Sequence, residues 1–247
     1  MELTLTELAI FLPETITFFE KYNLDYYQNG GITLESACEK GNLNFHQIDS
    51  ELNQWIEENH EPLLPKLQDF SVQQLIQYID TTFHAKEEED LTRVKTVLSE
   101  LFQFDDLPSR VSYLAKNIGI EFNKLSLQLM EHCKSEELTF FPYIKKLLDA
   151  SALKSNFSTH QISLIKNPIR VLENEHKDNL KALEEIKGFT NTYECIEGEV
   201  LYNQLMEALS IFNRNLHLHF HIENNLLFPK LLDIEQNLTQ KVKEKYY

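Results

Sequence analysis

The sequence is poor in the residues that break helices. Its 247 residues include six glycines and seven prolines, where average usage would give about 17 and about 12. This scarcity predicts long helices rather than an architecture of strands and turns. Hydrophobic residues make up 42% of the chain, which is enough for a core and excludes a disordered acidic protein.

Basic residues, cysteines and long apolar runs are also scarce. The 23 Lys and Arg residues face 39 Asp and Glu, a net charge of −16, which excludes a nucleic-acid binder that needs a basic face. Cys38, Cys133 and Cys195 are too widely spaced for a disulfide framework or a CxxC metal site. The acidic start is unlike a signal peptide, and no run approaches the roughly 18 apolar residues of a membrane span. We therefore expect a cytoplasmic protein without nucleic-acid or membrane partners.

Prolines divide the chain into two predicted domains. Pro62 and Pro65 separate a small helical N-terminal domain, residues 1–62, from a larger domain at residues 70–238. In the first domain we expect helices at 4–20 and 45–58, with a short helix capped by Thr33 between them. The larger domain contains four long helical patterns, at residues 71–102, 108–148, 167–188 and 194–236. Four such helices with modest connections predict an all-α, antiparallel four-helix bundle.

Ionisable residues take the places of leucine in the apolar stripes of these four helices. Steps of three and four residues lead through Leu125 and Leu129 into His132 and Glu136, which is the spacing of one helix face. The other three helices carry comparable positions, and the complete set is His84, His132, Glu136, His176, His219 and Glu223. Because an unpaired buried carboxylate costs several kcal/mol even after relaxation, a bound metal is the simplest compensation.

The chain also repeats itself. Residues 132–142 match residues 219–229 position for position as His-x3-Glu-x4-Phe-Pro, and each segment follows a helix with one histidine, His84 or His176. The repeat predicts two similar helix pairs that bring four imidazoles and two carboxylates together. The proline in each segment predicts a kink or an end of the helix beyond the glutamate.

The residue types favour iron over other metals. No cysteine stands at ligand spacing, which argues against structural zinc, and imidazole-rich ligation disfavours magnesium and calcium. Ferritin-like centres use a carboxylate-rich set with Glu-x-x-His, whereas four histidines and two glutamates resemble a hemerythrin-like site. We hypothesise two iron ions that share both glutamates and an oxo or hydroxo bridge, with two histidines each. About one position would stay open for a small ligand, for which NO and O2 are the candidates.

The two segments resemble the paired signatures of the iron–sulfur cluster repair di-iron (RIC) family. Residues 19–25, Gly30-Gly31 and Ala37-Cys38 are similar to its N-terminal domain, so the resemblance covers nearly the whole chain. It implies a hemerythrin-like bundle after a short N-terminal domain, with the same six residues as iron ligands. It also implies repair of damaged iron–sulfur clusters under nitrosative or oxidative stress, either by iron supply or through reaction with NO. One departure is Tyr26-Tyr27-Gln28-Asn29, which stands where the family usually has adjacent cysteines.

Two other functions stay open at this stage. One is a hemerythrin-like protein that binds or senses O2 or NO without repair activity, and the other is an iron-handling or structural protein. The sequence leaves open whether the protein is an enzyme, which iron–sulfur client it serves, and whether it is a monomer or a homodimer.

Several further polar residues are candidates for roles around the metal. Glu87 and Glu175 are predicted to contact the ligands from outside, whereas Glu88 is expected at the surface. His217 and His221 are expected to face outward or to supply such outer contacts. The remaining histidines are assigned to the surface or to a connection, and they are His46, His60 and His160.

Overall fold

A computed structural model describes residues 4–5, 8–9, 15–24, 26, 31–59, 67–104, 106–152 and 165–246. Across these residues the chain is helical, and an isolated bridge between Thr4 and Thr33 is the one β-type pairing described. The predicted all-α class is confirmed. None of the described helices is both long enough and apolar enough to span a membrane.

The N-terminal helices enclose a small core of their own. The described elements are α1 (Thr15–Lys21), α2 (Leu34–Lys40) and α3 (Phe45–Asn59). Thr33 caps α2 as predicted, because its side chain accepts a hydrogen bond from the backbone N–H of Ser36. Cys38 is fully buried in this core, and Leu218 of the bundle packs against it. The division into residues 1–62 and 70–238 stays a prediction, since residues 60–66 lie outside the described part of the chain.

Four long rods form the bundle. After a 3₁₀ turn at Leu67–Asp69, the described α-helices are α4 (Val72–Ile79), α5 (Ala85–Leu101), α6 (Ser109–Ser135), α7 (Phe141–Ala152), α8 (Lys166–Phe189), α9 (Val200–Ile222) and α10 (Phe228–Tyr246). Wider π-helical turns join α4 to α5, α6 to α7 and α9 to α10, at Asp80–His84, Glu136–Phe140 and Glu223–Leu227. We call α4–α5, α6–α7, α8 and α9–α10 the first, second, third and fourth bundle helices.

The prolines do not end their helices. Pro142 and Pro229 are the second residues of α7 and α10, and both rods continue past them. A proline ring normally clashes with the carbonyl four residues earlier. In each rod a π turn directly precedes the proline, and its backbone bond spans five residues, from Phe141 N–H to the Glu136 carbonyl in the second helix. The wider turn makes room for the ring, so of the two predicted outcomes, a kink or an end of the helix, the end was wrong.

The fourth helix differs from its predicted bounds. It begins at Val200 rather than near 194 and extends to Tyr246. Residues 190–199 form a turn region in which Asn191, Thr192 and Tyr193 have positive φ angles, a conformation that cannot belong to a right-handed helix.

Two apolar cores lie on either side of a polar layer. The third helix packs along the second, and the fourth packs along the first. Two hydrogen bonds show that the first and fourth helices are antiparallel. His219 bonds to Glu87, whereas Asn215, one turn earlier in the fourth helix, bonds to Asp90, which comes later in the first helix. One core surrounds Phe122 and the other surrounds Ile144. The predicted stripes are buried as expected, and the polar layer between the cores contains the candidate ligands.

Candidate metal centre

All six predicted ligand residues meet in the polar layer. They fall into two groups, and within each group one ligand atom per residue lies within 4.8 Å of the others. Both groups contain Glu136 and Glu223, whereas each histidine belongs to one group. The groups are His84, His219, Glu136 and Glu223, and His132, His176, Glu136 and Glu223. The geometry thus brings together two adjacent groups of side chains that could each hold a cation and that share two carboxylates.

Each of the four histidines in these groups directs its Nε2 atom toward one of the shared carboxylates. Glu136 Oε2 lies 3.4 Å from Nε2 of His84 and 3.5 Å from Nε2 of His132. Glu223 lies 3.1 Å from Nε2 of His176 and 3.2 Å from Nε2 of His219. All six residues are buried, so these contacts are shielded from water.

The opposite ring nitrogens are held by oxygen atoms outside the centre. Nδ1 of His132 lies 2.8 Å from Glu175, and Nδ1 of His219 lies 2.7 Å from Glu87. An ionised carboxylate can only accept, so Nδ1 carries the hydrogen and donates it. In the neutral ring this leaves the Nε2 lone pair directed into the centre, the tautomer that a metal requires.

The structure adds two outer contacts that the sequence analysis missed. Nδ1 of His84 lies 2.9 Å from Glu137, and Nδ1 of His176 lies 3.1 Å from the side-chain oxygen of Asn224. Glu137 and Asn224 each directly follow a glutamate of the centre. The repeat therefore contained a signal for both residues, because each stands directly after the glutamate of its segment.

The inner polar atoms fit a cation and lack another partner. Among the described residues, and apart from the contacts that they make with one another, the carboxylate oxygens of Glu136 and Glu223 and Nε2 of His84 and His219 have no hydrogen-bond partner. Nε2 of His132 and Nε2 of His176 are 3.1 Å apart. Two neutral rings that both carry hydrogen on Nδ1 would oppose their lone pairs at that distance. Because buried polar groups in proteins are normally paired, the arrangement needs positive charge between these atoms.

Aromatic rings fix the planes of the imidazoles. Phe220 stacks on His176 with centroids 4.0 Å apart, and Phe228 lies parallel to the same ring at 5.9 Å. Phe83 stacks on His219 at 5.3 Å. These contacts restrict ring rotation and keep water away from the layer.

Two π turns begin at the shared glutamates, and the remaining one ends at His84. Such turns are uncommon and occur mostly at functional sites. They let Glu136 and Glu223 occupy the centre while the helix continues in a new register.

Charge pairing shifts the pKa values of several residues in the metal-free chain. Burial lowers the pKa of His219, but Glu87 and Glu223 outweigh it and hold that pKa well above the usual value. Burial raises the pKa of Glu223, yet His219 and His176 outweigh it and hold that pKa well below its usual range. The hydrogen bond from His132 lowers the pKa of Glu175. The centre therefore retains protons that a metal ion must displace.

Two cavities reach the outer side of the centre. One of about 300 Å³ is lined by His84, Glu87 and Cys133 among others. Another of about 400 Å³ is lined by His132 and Glu175 among others. Burial, followed by the charge of Glu87, raises the pKa of the Cys133 thiol, so this group is a donor at neutral pH.

The remaining histidines lie away from the inner layer. His221 is fully buried rather than facing outward, whereas His217 is half-buried, and each ring centroid is 6.2 Å from that of the buried Tyr26. His46 and Glu88 are exposed as expected. The positions of Tyr27, His60 and His160 lie outside the described residues.

The fold and the centre define a class of protein, the hemerythrin-like cation-binding bundle. A comparison with protein-family models agrees, because residues 121–231 match the hemerythrin HHE cation binding domain.

Similarity to curated proteins extends over most of the chain. The "Iron-sulfur cluster repair protein YtfE" of Cronobacter sakazakii is 30% identical over 234 residues, which are 92% of this chain and 95% of that protein. The "Probable iron-sulfur cluster repair protein" of Haemophilus influenzae is 29% identical over 240 residues, 93% and 96% of the two chains. The chain therefore belongs to the iron–sulfur cluster repair di-iron family.

Proposed function

We propose that this chain is a non-haem di-iron protein of nitrosative and oxidative stress defence that repairs damaged iron–sulfur clusters in the cytoplasm. Its ligands would be His84, His132, Glu136, His176, His219 and Glu223. The observation that carries the proposal is the sharing of both carboxylates by two histidine pairs, which suits two ions of one kind. The names of the relatives supply the repair role and point to iron–sulfur proteins as clients.

Iron bound at this centre would supply a redox-active Lewis acid and a source of iron for a damaged cluster. The chain's own residues orient and shield it. Glu87 and Glu175 fix the tautomers of His219 and His132 through Nδ1, while stacked phenylalanines limit the entry of water. The centre nevertheless has outer carboxylates that reach two cavities, which gives small ligands and iron a short path to solvent.

The N-terminal domain is expected to contribute little thiol chemistry. Tyr26 is buried at a position of the usual cysteine pair, and the nearby Cys38 is buried as well. Because no vicinal thiols stand there, repair by this chain would depend on the metal centre alone.

The repair role is tested by iron transfer. Protein loaded anaerobically with Fe²⁺ is passed through a desalting column and mixed with a [4Fe–4S] dehydratase that has been inactivated by NO. We expect two irons per chain and recovery of dehydratase activity beyond that given by the same amount of free Fe²⁺. Glu223→Ala should abolish recovery, whereas Glu207→Gln, at an exposed position, should preserve it. Recovery no better than with free iron would contradict the repair role.

A second candidate function is binding or sensing of O2 or NO without repair. The contacts of Tyr26 with His217 and His221 favour it, because they join the N-terminal domain to the helix that carries His219. A reversible change in visible absorption with either gas, without iron transfer, would support this function over repair.

A further inference from the structure

Cys133 breaks the internal repeat beside a ligand of the centre. The residue after the histidine is Cys133 in the first segment and Phe220 in the second. Phe220 stacks on His176. The Cys133 thiol instead donates a hydrogen bond to Glu87, with Sγ 3.4 Å from Oε2. The two halves of the centre therefore differ in chemistry at equivalent positions.

Glu87 connects this thiol to a ligand. Its Oε1 atom accepts from Nδ1 of His219 at 2.7 Å, and its Oε2 atom accepts from Cys133. Glu87 is almost fully buried, so both bonds act in a medium where hydrogen bonds are electrostatically strong. A second donor on the carboxylate draws negative charge from the oxygen that faces His219.

The consequence for the ligand follows from the role of such outer partners. A carboxylate that accepts the N–H of a ligating histidine raises the basicity of that histidine. The thiol opposes this effect, since it competes for the charge of Glu87. His219 is then a weaker donor at Nε2 than it would be beside an undivided carboxylate.

Resting on the proposed di-iron function, we propose that Cys133 is a positioning residue that acts through Glu87 to weaken the hold of His219 on iron. The His84–His219 half of the centre is accordingly the half that releases iron first. Solvent access does not favour release from either half, because each half of the centre borders a cavity. The thiol-to-carboxylate bond distinguishes them.

A double-mutant cycle tests the route through Glu87. Cys133→Ala removes the donor, Cys133→Ser retains one, and each is combined with Glu87→Gln. The rate of iron loss to a chelator is measured on protein reconstituted with two irons. Removing an outer partner typically changes metal affinity 10–100-fold, so loss of the opposing thiol should slow the first iron's release by roughly threefold to tenfold. The serine variant should stay near wild type, and Cys133→Ala should have no effect once Glu87 is Gln.

Proton NMR of the ¹⁵N-labelled, metal-free protein provides an independent measurement. In Cys133→Ala the Nδ1–H proton of His219 should move downfield, as its bond to Glu87 strengthens, and Cys133→Ser should restore its position. Cys195→Ala is the matched control because Cys195 is exposed, and it should change neither measurement. Thermal unfolding establishes that each variant is folded.

Three results would overturn this inference alone, and a fourth would overturn the proposed function with it. Faster or unchanged iron loss in Cys133→Ala would contradict it, as would an equal effect in the Glu87→Gln background, which indicates packing alone. An unshifted His219 proton in a protein that still binds two irons refutes this inference and leaves the proposed function intact. A chain that binds no iron refutes both.

Discussion

Removing a shared carboxylate should cost the protein both metal ions, whereas removing a histidine should cost one. Glu223 belongs to both ligand groups, and His176 belongs to one. Each metal site stabilises the fold by about 4 kcal/mol when free metal is a thousandfold above its Kd. For a chain of this size 1 kcal/mol moves Tm by roughly 2–4 °C, so each site is worth roughly 8–16 °C.

The assay measures metal content on desalted protein and Tm on the same preparations with free Fe²⁺ held in excess. After reconstitution and desalting, wild type should contain two irons per chain, His176→Ala about one, and Glu223→Ala none. The rise of Tm over the metal-free form should decrease in the same order. Glu207→Gln, an exposed change on the fourth bundle helix, should match wild type. Equal metal content in the histidine and glutamate variants would refute the shared-carboxylate arrangement.

Three further predictions concern the pH dependence of stability in the metal-free chain, measured by Tm at several pH values, the pH dependence of metal affinity, and helix stability. Glu87 and Glu223 raise the pKa of His219 despite its burial, so the contribution of this group to metal-free stability is full below about pH 6.5 and is lost as pH rises through the raised pKa. Metal affinity should instead increase with pH, with proton release in calorimetry; affinity independent of pH would contradict this. Gly119→Ala should raise Tm by roughly 2–4 °C, because alanine gains about 1 kcal/mol in a helix and its Cβ meets only the ring edge of Phe102 at 3.3 Å, a side chain 57% exposed and able to move. A lower Tm would show that Phe102 cannot yield.

The buried polar positions of the candidate centre were predictable from sequence because burial imposes the helical period. The stripe that contains Leu129 continues without interruption into His132 and Glu136, and the structure buries all of these positions. The repeat then indicates that two helices carry the same His-x3-Glu pair. Glu87 and Glu175 could also be predicted as outer contacts, because each lies within one helical turn of a histidine of the centre on its own helix.

The register of the helices beyond the glutamates was not predictable in this way. A π turn at Glu136 or Glu223 allows the carboxylate to reach the centre and accommodates the proline ring that follows. Local helix propensity does not encode either requirement. Glu137 and Asn224 contact histidines of other helices, and such contacts depend on the rotation of one rod against another. His221 was expected to face outward or to supply an outer contact, and its burial was not predictable because the N-terminal helices beside it are far away in the sequence.

Mössbauer spectroscopy of protein reconstituted with ⁵⁷Fe tests the central claim most directly. Because the two candidate positions share both carboxylates, we expect two irons per chain and, in the oxidised protein, a diamagnetic ground state from coupling between them. One iron per chain, or two irons with independent paramagnetic spectra, would contradict a shared centre.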